Sequence, residues 1–240
     1  MMGVRFTGKV VIVAGGTGGL GRAVSLAFLE EGAQLVVTYR NAEEFAALQS
    51  AAGANGSSLE GQRVDVTDEA ATQGFVKAVM AKYGKVDALV NTVGGYAGGT
   101  KLWESDIKVF DQMLAMNFRP GLLLSRGVIP SMLQEGRGAI VNVASKAAVD
   151  HETGAAAYAS SKAAALALMD SLAEDLKGTG VRVNSVLPSI IDTEANRKAM
   201  PKGDFAKWPK PEDIARVILF LCSDDAKLIH GAAVPVYGAS

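Results

Sequence analysis

Short uninterrupted apolar runs alternate along the chain with longer stretches in which apolar positions recur at helical spacing. Runs of about four to eight apolar residues are typical of strands buried on both faces, and recurrence every three or four residues is typical of amphipathic helices. The apolar runs predict seven strands, at Lys9–Ala14, Gln34–Thr38, Gln62–Asp65, Val86–Asn91, Gly138–Ala144, Val181–Leu187 and Ala233–Val236.

Helical patterns fill the intervals between these strands. The first helix begins in a glycine cluster after Ala14 and ends near Glu31, where Gly32 provides a stop signal. Within the longest helical region, Pro120 and Pro130 divide or kink the helix. The other predicted helices are Glu43–Ala52, Glu69–Tyr83, Trp103–Gln134, Gly154–Lys177 and Glu212–Ser223.

Regular alternation of strands and helices predicts a parallel sheet covered by helices on both faces, because parallel strands need a long crossover connection. Right-handed crossovers make such a sheet doubly wound (a Rossmann-type α/β fold), with a ligand crevice at the carboxyl ends of the strands. No linker or internal repeat interrupts the pattern, so we expect residues 1–240 to form a single domain. Residues 194–209, with two prolines and scattered charges, are a candidate substrate lid.

Charge and hydropathy restrict the partners. The 24 basic and 25 acidic side chains nearly cancel, so we expect neither nucleic acid nor an anionic membrane as a partner. No apolar span approaches the roughly 20 residues that cross a bilayer. The first six residues lack the apolar core of a leader peptide. We therefore expect a cytoplasmic protein.

Cysteine and histidine usage argues against a metal site. Cys222 is the only cysteine and lies in an apolar helical run, which is typical of a buried structural thiol. His151 and His230 have no cysteine or histidine partner at metal-ligand spacing. We expect no metal.

A glycine-rich segment follows the first strand and opens the first helix. Gly15, Gly19 and Gly21 match G-x-x-x-G-x-G, and an overlapping G-x-G-x-x-G is present as well. Glycine permits a sharp turn and close approach of the backbone to a ligand, and the helix N-terminus offers N–H groups to a pyrophosphate. We predict a dinucleotide site here, including Thr17 and Leu20.

The end of the second strand bears on which dinucleotide is bound. An acidic residue at this place usually holds the ribose 2′-hydroxyl of NAD, whereas arginine suits the 2′-phosphate of NADP. The sequence offers Tyr39 and Arg40, with no acid before Glu43. Because guanidinium pairs bidentately with phosphate, we expect NADP(H), with NAD(H) as the alternative.

Candidate catalytic residues lie in the second half of the chain. Tyr158 and Lys162 are one helical turn apart on the same face. A nearby ammonium favours the phenolate form, which makes Tyr158 a candidate acid or base. Ser145 follows the fifth strand, thirteen positions before Tyr158, where its hydroxyl can orient a substrate oxygen.

In this order, the glycine loop, Ser145, Tyr158 and Lys162 resemble the short-chain dehydrogenase/reductase family over essentially the whole chain. The resemblance implies that Ser145 positions the substrate and that Tyr158 transfers the proton. It implies that Lys162 holds the nicotinamide ribose and lowers the tyrosine pKa, and that Asn117 anchors a proton-relay water. It also implies a homo-oligomer, commonly a tetramer joined through helices around 103–135 and 154–177.

Further cofactor contacts rest on the same resemblance. It assigns Asp65 and Val66 to the adenine and Asn91 to the start of the family's N-N-A-G stretch. Pro188, Ile191 and Thr193 fall in the segment beside the nicotinamide.

The sequence also departs from the family pattern. Ala14 replaces a threonine, Thr92 and Val93 replace asparagine and alanine, and Ser189 replaces a glycine. We expect these changes to weaken structural hydrogen bonds or alter backbone freedom. A fourth, Gly18, stands where many NADP-binding relatives carry a basic residue.

These residues predict an oxidoreductase that moves a hydride between NADP(H) and a small carbonyl or alcohol substrate. Enoyl reduction is disfavoured, because the tyrosine of that branch would fall at Ala155. The alternative is a non-catalytic NADP(H)-binding sensor or interaction protein on the same fold. Tyr96 lies in a glycine-rich loop, 94–100, which either lines the substrate pocket or is a surface loop.

Overall fold

The computed structural model describes residues 4–239. Residues 1–3 and residue 240 lie outside the described residues. The prediction about a leader peptide therefore falls partly outside them. Among the described residues seven strands form one parallel sheet. They are β1 (Val10–Ala14), β2 (Gln34–Tyr39), β3 (Leu59–Arg63), β4 (Ala88–Asn91), β5 (Gly138–Val143), β6 (Val181–Pro188) and β7 (Ala233–Val236).

Helices occupy most of the connections and cover both faces of the sheet. They are α1 (Gly19–Glu30), α2 (Ala42–Ala52), α3 (Glu69–Tyr83), α4 (Ile107–Asn117), α5 (Arg119–Glu135), α6 (Ala156–Asp175), α7 (Glu194–Ala199) and α8 (Pro211–Cys222). The parallel, doubly wound α/β prediction is confirmed.

The strand order is β3-β2-β1-β4-β5-β6-β7. The direction of winding therefore reverses between β1 and β4, and the connections on either side of that point diverge. A crevice opens where connections diverge at the carboxyl ends of parallel strands. The loops after β1, β4, β5 and β6 all meet at this edge.

Two apolar layers hold the helices onto the sheet. Successive residues of a strand face opposite layers, as Val11 and Ile12 of β1 do. Phe28 of α1 and Ile218 of α8 pack in the first layer, and Leu124 of α5 packs in the second. Burial of strands on both faces explains why their sequences are apolar without interruption.

The predicted bounds of the third strand are wrong. The third strand runs from Leu59 to Arg63 rather than Gln62–Asp65. Its sequence is too polar to be recognised as a strand from the hydrophobic pattern, and its position is set by pairing with β2. The prediction that Pro120 divides or kinks the long helical region is confirmed, because α4 ends and α5 begins just before it, whereas Pro130 remains inside α5. The candidate lid, residues 194–209, begins with the short helix α7.

The described residues contain no helix long and apolar enough to cross a bilayer. Cys222 is buried at the end of α8, and burial raises the pKa of its thiol to about 12. It is therefore protonated at neutral pH, which agrees with a structural thiol.

Candidate active site

The glycine loop joins β1 to α1 at the carboxyl edge of the sheet. Gly15 has a φ of +73°, a conformation that other residues rarely adopt. A side chain at Gly21 would collide with the carbonyl oxygen of Gly15, and a Cβ at Gly19 would lie 2.8 Å from Thr193 Cγ2. Close packing therefore requires these glycines, and it brings the loop against the segment that follows β6.

Two threonine hydroxyls fix this loop. Thr38 Oγ1 accepts a hydrogen bond from Gly15 N at 3.0 Å, and Thr92 Oγ1 donates to Ala14 O at 2.7 Å. Thr92, one of the departures from the family pattern, thus bonds to the strand that precedes the loop. Ser189, another departure, likewise donates to Tyr237 O at 2.7 Å.

The N-terminus of α1 suits an anionic ligand. Its N-cap is Gly18, which supplies no side-chain cap, so N–H groups of the first turn remain available to a phosphate. Leu20 buries its side chain in the core, which leaves only its backbone facing the crevice. Arg22, exposed in the same turn, adds a cation that sequence reasoning did not single out.

The end of β2 carries opposite charges. The Tyr39 ring stacks on Phe45 with centroids 4.6 Å apart, and Arg40 next to it is exposed. Glu44 Oε2 accepts a hydrogen bond from Thr17 Oγ1 at 2.8 Å. Sequence reasoning missed this carboxylate, because the turn that brings α2 back to the glycine loop is not visible in the sequence.

Asp65 lies at the same rim. Its Oδ1 accepts from the hydroxyl and backbone N of Thr67 at 2.7 and 2.9 Å. These bonds, with a smaller contribution from the charge of Arg40, hold the pKa of Asp65 below its ordinary value. The carboxylate is therefore ionised at neutral pH and can accept a further bond. Val66 beside it is buried.

The side chain of Asn91, at the end of β4, forms hydrogen bonds within the protein. Its Nδ2 donates to Asn142 Oδ1 at 2.8 Å, and its Oδ1 accepts from Val93 N at 3.3 Å. With its side chain engaged in this way, Asn91 joins β4 to β5 and shapes the next loop. A cofactor contact at Asn91 would thus fall to its backbone.

Tyr158 and Ser145 lie together at the carboxyl edge. Burial raises the pKa of the Tyr158 hydroxyl, a side-chain hydrogen bond with Ser145 opposes that rise, and the charge of Tyr96 adds to it. Ser145 Oγ also accepts from Ala147 N at 3.1 Å.

Lys162 is buried inside α6, and burial lowers the pKa of its ammonium to about 8. Its Nζ donates to Val143 O at 3.0 Å, at the end of β5. A Cβ at Gly94 would lie 3.0 Å from that Nζ and 2.8 Å from Asn117 Oδ1. The loop after β4 therefore brings the Lys162 and Asn117 side chains to the same place.

Asn117 ends α4 and is buried. Its Oδ1 accepts from Gly95 N at 2.9 Å, and its Nδ2 donates to Gly95 O at 3.1 Å and to Ser161 Oγ at 2.9 Å. Ser161 Oγ in turn donates to Tyr158 O at 2.7 Å. Sequence reasoning did not single out Ser161, although it lies directly before Lys162 on the buried face of α6.

The segment after β6 is internally bonded. Pro188 ends the strand, and Ile191 O accepts from Thr193 N and from Asn196 Nδ2, both at 2.8 Å. Thr193 Oγ1 caps α7 by accepting from Asn196 N at 3.2 Å. Because Thr193 also lies against Gly19, this segment closes one side of the glycine loop.

Within residues 4–239 no group of three or more His, Cys, Asp or Glu side chains is placed to hold a metal ion. His230, one of the two isolated histidines, accepts from Val183 N at 3.1 Å through Nδ1, and its Nε2 lies 2.7 Å from Ala173 O. These contacts give His230 a structural role between β6 and α6.

The comparisons with known proteins agree with this fold. The family model described as short chain dehydrogenase matches residues 9–203. The chain belongs to the short-chain dehydrogenase/reductase family and is an oxidoreductase of that family.

Individual relatives resemble the chain over nearly its whole length. D-threitol dehydrogenase of Mycolicibacterium smegmatis is 35% identical over 243 residues, which cover 98% of this chain and 93% of that protein. The NADP-bound structure of ElxO superimposes with a TM-score of 0.90 at 26% identity, covering 96% of this chain and 97% of that one. NAD⁺-bound xylitol dehydrogenase superimposes with a TM-score of 0.90 at 27% identity, covering 98% of this chain and 99% of that one. These two structures show that this fold holds either nicotinamide dinucleotide.

Proposed function

We propose that the protein transfers a hydride between NADP(H) and a small carbonyl or alcohol substrate, with Tyr158 as the acid and base. The observation that carries the proposal is the convergence of four side chains at the carboxyl edge of the sheet. Ser145 lies near enough to the Tyr158 hydroxyl to lower its pKa, and Asn117 and Lys162 meet at Gly94. Asn117 comes from α4, Ser145 from the turn after β5, and Tyr158 and Lys162 from α6, so their meeting results from the fold as a whole.

The chain's own residues account for the proton. With its pKa raised by burial, Tyr158 holds its proton at neutral pH and can donate it from Oη to a carbonyl oxygen. Ser145 Oγ, beside the same hydroxyl, orients that oxygen and stabilises its developing negative charge. In the direction of alcohol oxidation Tyr158 accepts the proton instead.

The residues present fit a nicotinamide dinucleotide. The α1 N-terminus without a side-chain cap and the close-packed glycines suit a pyrophosphate. When bound, the cofactor supplies or accepts the hydride. We assign the ribose to Lys162, the adenine to Asp65 and Val66, and the nicotinamide side to Pro188, Ile191 and Thr193.

The preference for NADP(H) rests on Arg40. Its exposed guanidinium at the end of β2 provides a cation where a 2′-phosphate would lie. Glu44 acts in the opposite sense, because its carboxylate bonds to Thr17 in the same region. We propose that Arg40 outweighs Glu44, since it can pair directly with phosphate while Glu44 is engaged by a hydroxyl.

A labelling experiment tests the proposed reaction. Purified protein is incubated with a panel of ketones and aldehydes and with NADPH carrying deuterium on the nicotinamide C4. The proposal expects an alcohol product with deuterium on the former carbonyl carbon, detected by mass spectrometry. NADPH binding without labelled product from any member of the panel would instead support the sensor alternative.

We also propose that residues 194–209 close over the substrate in a single-domain protein. Side-chain contacts hold the segment together, with Arg197 bonded to Asp192 and Phe205 packed edge-on against Trp208. Limited proteolysis tests this proposal. Cleavage in 194–209 should slow when cofactor and substrate are both present, and unchanged cleavage would contradict a lid.

The proposed homo-oligomer has an exposed apolar surface in the expected region. Leu102, Trp103 and Ile107 are exposed at and just before the start of α4, with Trp103 77% accessible. Burial of such residues against a second copy would stabilise an assembly. Gel filtration with light scattering should give a dimer or tetramer, and a monomer would refute the assignment.

A further inference from the structure

Tyr96 lies in the loop after β4 and contacts the proposed acid and base. The centroids of the Tyr96 and Tyr158 rings are 5.0 Å apart, and the rings meet edge to face at 68°. Tyr96 is nevertheless 67% exposed, so most of its surface is open to solvent. A large aromatic side chain left exposed beside a reacting hydroxyl is available to a ligand.

Backbone contacts on both sides fix the loop that carries Tyr96. Gly95 exchanges two hydrogen bonds with the Asn117 side chain, and Gly99 N donates to Gly154 O at 2.9 Å. A side chain at Gly98 would collide with the Tyr96 hydroxyl, so the tyrosine lies directly against the loop backbone. The ring is therefore held in place before any substrate arrives, which lowers the entropic cost of binding.

Two more exposed apolar side chains lie at the same edge of the sheet. Val149 follows β5 and is 56% accessible, and Ile190 follows β6 and is 39% accessible. Strands β4, β5 and β6 are adjacent and parallel, so their carboxyl ends lie side by side. Tyr96, Val149 and Ile190 thus place one apolar group on each of three neighbouring loops around the site.

Two cations in these loops face carboxylates. Lys146 pairs with Asp150 at 3.6 Å and lies over the Tyr237 ring, and Arg197 pairs with Asp192. Cations engaged in this way are poor partners for the phosphate or carboxylate of an anionic substrate. The loops around Tyr158 instead offer apolar and aromatic surface.

We propose that Tyr96 contacts the substrate, and that the substrate is a neutral carbonyl compound with a planar ring next to the carbonyl group. A carbonyl oxygen bonded to the Tyr158 hydroxyl places its neighbouring substituent beside Tyr158, where the exposed Tyr96 ring lies. Aromatic rings attract one another at centroid separations of about 4.5–7 Å. This inference rests on the proposed carbonyl reduction and specifies its substrate class.

The test compares acetophenone, which has a planar ring, with cyclohexyl methyl ketone of similar size and with acetone. Rates of NADPH consumption are measured for wild type, Tyr96→Ala, Tyr96→Phe and Leu228→Ala. The last variant changes a side chain that is 91% exposed near β7 and serves as the unaffected control. The inference expects wild type to prefer acetophenone over both other ketones.

Tyr96→Ala should lower kcat/KM for acetophenone roughly tenfold, mainly through KM, and for acetone less than about twofold. Tyr96→Phe retains the ring and should retain the preference. An equal loss for all three ketones would overturn the inference, because it would mean that Tyr96 only supports Tyr158. Absence of any preference in wild type would overturn it as well.

A binding measurement separates this inference from the proposed reaction. Saturation-transfer NMR reports acetophenone binding to the protein with NADP⁺, without turnover. If no ketone is reduced but acetophenone binds and Tyr96→Ala abolishes the signal, the reaction fails and the substrate class stands. If acetophenone binding is absent, or is the same in wild type and Tyr96→Ala, the substrate class is wrong whatever the turnover.

Discussion

Lys162 Nζ donates a hydrogen bond to the carbonyl oxygen of Val143 at 3.0 Å, inside the protein and one helical turn from Tyr158. This bond orients the ammonium at the end of β5. A carbonyl dipole only partly compensates a charge that has lost its water, so burial lowers the pKa of Lys162 to about 8. The buried charge of Lys162 thus lowers the stability of the folded protein.

Replacing Lys162 with methionine should therefore stabilise the protein at neutral pH. A pKa of about 8 instead of 10.5 corresponds to a cost on the order of 3 kcal/mol for the charged form. Loss of the hydrogen bond to Val143 destabilises the variant by about 1 kcal/mol. We expect a net gain of about 2 kcal/mol in the free energy of unfolding, measured with urea at pH 7.

The gain should depend on pH with a definite sign. Because the folded pKa lies below the unfolded one, the unfolded wild type binds more protons between pH 8 and 10.5, and wild-type stability rises through that window. The difference between Lys162→Met and wild type should shrink accordingly as pH rises from 8 toward 10.5. A constant difference would mean that burial does not shift the pKa of Lys162.

The raised pKa of Tyr158 predicts opposite pH profiles for the two reaction directions. Reduction needs the protonated hydroxyl, so its kcat/KM should stay level through neutral pH. Oxidation needs the phenolate and should speed up about tenfold per pH unit up to the tyrosine pKa. Initial rates of reduction of one ketone and of oxidation of its alcohol, measured across pH, test the two profiles. An oxidation rate independent of pH would exclude Tyr158 as the base.

Arg40 and Glu44 should affect NADPH binding in opposite directions. Arg40→Ala removes the proposed phosphate partner and should raise the Kd for NADPH roughly tenfold, with little effect on NADH. Glu44→Gln removes a negative charge and should lower the Kd for NADPH. Nicotinamide fluorescence titration measures both, and equal NADPH and NADH affinities in wild type would overturn the Arg40 assignment.

Ser161 is expected to position Asn117 and the backbone at Tyr158. Ser161→Ala leaves Asn117 Nδ2 with one partner fewer in a buried place, which should cost about 1–3 kcal/mol of stability. Turnover should fall through kcat rather than KM. Ser160→Ala, on the exposed side of the same helix, is the matched control, and an equal effect of the two variants would remove the special role of Ser161.

Much of the fold could be predicted because parallel strands buried on both faces are apolar throughout. The strands β1 and β5 can be recognised from the sequence for that reason. The edge strand β3 cannot, because its sequence is Leu-Glu-Gly-Gln-Arg. Its position depends on pairing with β2 and on Phe45 covering Gly61. Such long-range contacts leave no local pattern in the sequence.

The candidate site divides in a similar way. The spacing of Tyr158 and Lys162 on one helix and the order of the motifs point to the site from sequence alone. The Glu44–Thr17 bond, the Ser161 bridge and the Tyr96 contact with Tyr158 join residues from separate elements. Their geometry depends on how α2, α4 and the loop after β4 pack, which one sequence does not reveal.

The rate of NADPH-dependent carbonyl reduction in wild type and Tyr158→Phe tests the central claim most directly. Phenylalanine keeps the ring and removes only the hydroxyl that holds the proton. The account predicts unchanged NADPH affinity and a loss of kcat of about 10²–10⁴-fold. A variant that reduces the same ketone as fast as wild type would contradict Tyr158 as the acid and base.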